Sequence, residues 1–108
     1  MSAALDDPIL SRLKEELEHL YGPKLERVLL YGSRARGDHR GDSDYDLLVV
    51  LKPPFDRWTE IERLAEISTR IGLDTDGAAM LSLRPATPAQ VEERTGFMHN
   101  LRREARQI

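Results

Sequence analysis

Gly32-Ser33-Arg34-Ala35-Arg36-Gly37-Asp38-His39-Arg40-Gly41-Asp42-Ser43-Asp44-Tyr45-Asp46-Leu47 is the stretch on which the reading of this chain turns. Apolar runs flank it, Val28-Leu29-Leu30-Tyr31 before and Leu47-Leu48-Val49-Val50-Leu51 after. Both have the composition of buried strands, one over 27–31 and one over 45–51. Between them lies a polar, glycine-rich connection with one expected helical turn at 33–36. Side chains alternate faces along a strand, so Asp44 and Asp46 point one way and Tyr45 the other.

Asp is depleted in strands, and two on one face repel each other unless a cation lies between them. Hard oxygen ligands of this kind suit Mg²⁺, which keeps several waters and draws further ligands from substrate phosphates. Gly32 lets backbone approach a phosphate closely. Ser33 adds a hydroxyl and opens a helical turn with free N–H groups. Arg34 and Arg36 are candidates to add charge on a triphosphate. Asp42-Ser43-Asp44 alone reads more readily as turn chemistry, since Asp and Ser bond their own backbone. The conjunction is harder to dismiss: a strand, Gly-Ser, a short polar loop, and alternating acids on the next strand.

Working outward, Asp7 caps a first helix, Pro8 fits its first turn, and Tyr21-Gly22-Pro23 ends it. Ile9, Leu13, Leu17 and Leu20 follow the helical period as its buried face. After Lys52-Pro53-Pro54, a second long helix is expected over 57–71, with Ile61, Leu64, Ala65, Ser68 and Ile71 inward and Gly72 as its stop. Phe55 and Trp58 read as anchors of this helix, in the core or at an interface. A third strand is expected over 78–83, ended by Arg84-Pro85. Thr87-Pro88-Ala89-Gln90 is a capping box, and helix follows, broken near Gly96 and resumed from Phe97 to Ile108. The order α-β-β-α-β-α describes one α/β domain over 1–108, a short mixed sheet with helices packed against it. The Gly-Ser string lacks the glycine spacing of a dinucleotide-binding fold.

Composition narrows the classes. The chain has 108 residues, 40% hydrophobic and 32% charged, with a net charge of −3. This length supports one modest core. The acidic balance argues against direct nucleic-acid binding. Thirteen of the sixteen basic residues are Arg, whose planar fork matches phosphate and carboxylate. No Cys is present, which excludes thiolate metal sites and disulfides. No apolar run approaches the roughly 20 residues of a membrane span, and no leader pattern is evident, so a cytoplasmic location is expected.

Gly32-Ser33-Arg34-Ala35-Arg36-Gly37 followed by Ser43-Asp44-Tyr45-Asp46-Leu47 resembles the signature of the DNA polymerase β-like nucleotidyltransferase superfamily. The short chain and its Phe97-Met98-His99-Asn100-Leu101-Arg102-Arg103-Glu104 segment resemble the minimal (MNT-type) members. The resemblance implies a polymerase β-like core and Mg²⁺-dependent transfer of a nucleoside monophosphate from an NTP, with ATP as the expected donor. It also implies a HEPN-type toxin as partner in a hetero-complex, with this chain as antitoxin. A third carboxylate on a later strand belongs to the family pattern, but the expected third strand has no acid. Asp76 just before it is the first candidate, as catalytic residue and metal ligand with Asp44 and Asp46, and Asp74 is the second. Without that acid the chain could instead neutralise its partner by occlusion. A small-molecule modifier ranks lower, because such enzymes carry an extra helical domain.

Overall fold

The computed structural model describes residues 7–37 and 44–108. Helix α1 spans Pro8–Tyr21, with the Asp7 side chain accepting from the Ile9 N–H at its start. A 3₁₀ turn, Gly22–Lys24, leads into β1, Leu25–Tyr31. The short helix α2, Ser33–Arg36, follows directly. Strand β2 is Tyr45–Leu51 and helix α3 is Arg57–Asp74. Then come β3, Leu81–Ala86, the single turn α4, Pro88–Val91, helix α5, Gly96–Glu104, and a two-residue β4, Arg106–Gln107.

The four strands form one mixed sheet in the order β3-β2-β1-β4. β1 runs antiparallel to β2 and to β4, while β3 is parallel to β2, with α3 as the crossover. One sheet face carries Val28, Leu30, Tyr45, Leu47, Val49 and Leu51 and packs on α1 and α3 through Leu13, Leu17, Leu64 and Ile71. The other face carries Leu29, Leu48, Val50 and Ala86, and α4 and α5 cover it through Val91 and Leu101. Those two short helices reach only part of that face. Asp46, two residues before Leu48 and on the same side, is only half-buried.

Several expectations are met residue for residue. β2 has the expected bounds, α2 is the expected helical turn, and Thr87 and Gln90 complete a reciprocal capping box. Others are corrected. α1 buries Leu10, Leu13, Leu17 and Tyr21, while Leu20 is exposed, because the helix turns its stripe about one position from the expected one. α3 continues through Gly72 to Asp74 and buries Glu60, Leu64, Ile67 and Ile71, leaving Ala65 outside. Glu60 is tolerated there because Arg63 donates to both of its oxygens, at 3.0 and 3.2 Å. Trp58 is 72% exposed, so it does not anchor the core, whereas Phe55 packs partly against it.

β3 starts three residues later than expected and includes Arg84-Pro85. Proline is admitted because β3 is an edge strand, where a missing N–H breaks no interior ladder. The last segment is not helical to its end: α5 stops at Glu104, and Arg106 and Gln107 pair with β1. Ile108 is then carried into the main core, its N–H donating to the Val28 carbonyl at 3.0 Å. No helix among the described residues is long and apolar enough to cross a membrane.

Candidate active site

The site forms where β1 ends and β2 begins. In the antiparallel register Tyr31 lies opposite Asp46, so the residue before the Gly-Ser turn is level with the second acid. Gly32 follows with φ 77°, and a Cβ built there would lie 2.6 Å from Asp46 Oδ2. Only a residue without a side chain admits that carboxylate so close, and the positive φ independently favours glycine. The Gly-Ser half of the motif is therefore in contact with its acidic half. Gly32 also starts the turn, accepting through its carbonyl from the N–H groups of Ala35 and Arg36 at 3.1 and 3.2 Å. Ser33 opens α2, as expected.

Asp44 is exposed, just before β2, and Asp46 is half-buried on the partly open face. Burial and the Asp44 charge raise the Asp46 carboxyl above the ordinary carboxylate range, and Arg84 opposes the shift. The two acids are thus near enough to feel each other, the condition that a divalent cation relieves. Tyr45, between them in sequence, faces the core and is 4% exposed.

Arg34 and Arg36 each meet a side chain from elsewhere in the fold. The Arg34 guanidinium stacks over the Tyr45 ring at 3.8 Å, and the Tyr45 hydroxyl donates to Asp7 Oδ2 at 2.6 Å. Arg36 pairs with Glu104 at 3.2 Å, tying α2 to α5. Neither contact is with Asp44 or Asp46. His39, Arg40, Asp42 and Ser43 lie outside the described residues.

Asp76 sits in the turn between α3 and β3, exposed, with φ 53°. It lines a cleft of about 470 Å³ with Gly72, Leu73 and Met80. Asp74 is bonded to Arg12 at 2.6 Å. No group of three His, Cys, Asp or Glu residues suited to a metal ion occurs among the described residues. The β3 residue in register with Asp46 is Ser82, and Arg84 follows two places on. Arg84 escaped the sequence reading because Arg84-Pro85 reads as a strand stop. With the strand placed at Leu81–Ala86, its parity puts Arg84 on the Asp46 side. Tyr31 and Phe97 form an edge-to-face pair beside the site, their ring centroids 5.6 Å apart, although helical periodicity alone assigns Phe97 to an apolar packing stripe.

A glycine turn seated against a strand carboxylate, with a second acid one alternation away, marks an α/β domain whose oxygen donors and open turn suit a divalent cation and a phosphate. The chain belongs to the nucleotidyltransferase domain family, whose pattern matches residues 10–95, and it is a nucleotidyltransferase. It is 34% identical over 68 residues to "Putative protein adenylyltransferase MJ0141" of Methanocaldococcus jannaschii, an overlap of 63% of this chain and 68% of that one.

Solved structures share the fold. A putative nucleotidyltransferase from Sulfolobus solfataricus superposes with a TM-score of 0.60 at 19% identity, covering 99% of this chain and 86% of that one. A point mutant of the toxin-antitoxin MntA-HpeT gives 0.61 at 17% identity, over 91% and 70%. A toxin-antitoxin structure with AMP-PNP gives 0.56 at 19% identity, over 89% and 69%.

Proposed function

We propose that this protein transfers AMP from ATP to a hydroxyl of a partner protein, a HEPN-type toxin, and so acts as its antitoxin. The observation that carries the reading is the seat of Asp46 Oδ2 against Gly32, which joins the phosphate turn to the acidic strand. The relative named as a protein adenylyltransferase supports the reaction class, and the toxin-antitoxin neighbours support the context. Under this reading the partner supplies the acceptor.

Asp44 and Asp46 would hold Mg²⁺, and their mutual repulsion and all-oxygen chemistry fit that ion. When bound, it supplies charge neutralisation at the phosphates. The chain's own residues do the remaining work. Gly32 and Ser33 receive the β- and γ-phosphates at the mouth of α2, and Arg34 and Arg36 stiffen that turn. The acceptor hydroxyl gives its proton to water as its oxygen bonds the α-phosphorus, the bond from that phosphorus to the bridging oxygen breaks, and pyrophosphate leaves. Asp76, exposed in the turn before β3, forms no three-acid metal group with Asp44 and Asp46, so this reading assigns the ion to the pair. We place the reaction in the cytoplasm.

Incubation with α-labelled ATP, Mg²⁺ and the neighbouring gene's HEPN product tests this. Wild-type protein labels the partner, and an Asp44→Asn/Asp46→Asn double variant does not. Equal labelling by both overturns the reading. Ser82 and Arg84 on β3, where an acid is expected, favour one rival: neutralisation by occlusion. In that case the double variant still protects cells from the partner at equal dose.

A further inference from the structure

We propose that the exposed ring of Phe97, backed by Tyr31, is the platform on which the nucleobase of the donor stacks. The inference rests on the nucleotidyltransferase reading and adds the base subsite, which the acidic pair and the Gly-Ser turn leave undefined.

Phe97 is 46% exposed, although α5 lies on the sheet and buries Leu101 one turn further along the same stripe. A phenylalanine left half in water, packed on the residue that precedes the Gly-Ser turn, is a better clue than one in the core. Its ring meets Tyr31 at an interplanar angle of 86°, and an edge-to-face pair leaves at least one face of each ring unused. Tyr31 in turn is in register with Asp46 and immediately precedes Gly32. The platform is therefore one residue from the phosphate turn and one strand from the acidic pair.

The direction of α5 adds a second argument. Glu104 at its far end is tied to Arg36 of the phosphate turn, and Phe97 lies seven residues back on the same stripe. At 1.5 Å per residue the two ends are separated by about 10 Å along the helix. A nucleotide laid beside α5, phosphates toward α2, carries its base toward Phe97. Stacking on an aromatic face accepts any base, so the platform supplies affinity with little selectivity among purines.

The test is calorimetric titration of the full chain with Mg²⁺ and either AMP-PNP or inorganic tripolyphosphate. Stacking predicts that Phe97→Ala and Phe97→Leu bind AMP-PNP roughly ten-fold or more weakly, with tripolyphosphate binding unchanged. Phe97→Trp restores the affinity. Phe97→Leu keeps apolar volume without a π-face, so it reports on stacking even where the alanine variant fails to fold. Wild-type AMP-PNP affinity in Phe97→Leu, or equal loss of both ligands, overturns the platform and leaves the nucleotidyltransferase reading standing. Wild-type protein that binds neither ligand overturns both.

Discussion

Arg34 and Tyr45 are stacked, guanidinium over ring, at 3.8 Å. The same ring's hydroxyl donates to Asp7, the N-cap of α1, and burial and this bond push the phenol up to about 12. Three segments thus meet on one aromatic side chain: the entry to α1, the Gly-Ser turn and the acidic strand. Tyr45→Phe keeps the stack and removes the bond to Asp7. Thermal melts should show a loss of about 1–2 kcal/mol with transfer activity retained. Arg34→Gln removes the cation above the ring. Its expected result is a lower kcat with a smaller change in stability, because the turn is no longer held over β2.

Gly32 and Gly37 both have positive φ, 77° and 82°, but only Gly32 faces a side chain. Alanine at either position should cost roughly 1–2 kcal/mol of backbone strain. Gly32→Ala must also displace Asp46, so it should abolish transfer, whereas Gly37→Ala should remain active. Paired denaturation and activity measurements on the two variants separate strain from the carboxylate contact.

Asp46 titrates above the ordinary carboxylate range, chiefly from burial and from Asp44. Between the unfolded and folded values the native chain holds the extra proton. Stability from this group is therefore fully present at acid pH and declines as pH rises through the folded value. Asp46→Asn has no such decline. Without metal, its melting temperature should match the wild type near the acid end and exceed it toward neutrality. Added Mg²⁺ should raise the wild type alone. Scanning fluorimetry across pH, with and without Mg²⁺, reads both effects.

Ser82 is the β3 residue in register with Asp46. Ser82→Asp places a third acid beside the pair and should tighten Mn²⁺ or Mg²⁺ binding by about an order of magnitude. Titration calorimetry checks this, and unchanged affinity would mean that the metal does not sit between β2 and β3.

The most legible part of the sequence was its central motif. The alternation at Asp44-Tyr45-Asp46 fixed which side chain entered the core, and the structure agrees on all of β2. Capping chemistry was equally local, and Asp7 and Thr87 both act as expected. What escaped depended on the rest of the chain. Arg84-Pro85 looks like a stop until one knows that β3 is an edge. Arg106-Gln107 continues a helical stripe in sequence, and only β1 offers it a partner. The aromatic pair of Tyr31 and Phe97 joins residues far apart in the chain, which periodicity does not see.

Pro85 has one more effect beyond fitting an edge strand. The outermost rung of the sheet lacks a backbone donor at that point, so a visiting extended segment cannot zip along β3 as a fifth strand. Recruitment by strand addition is discouraged on that flank.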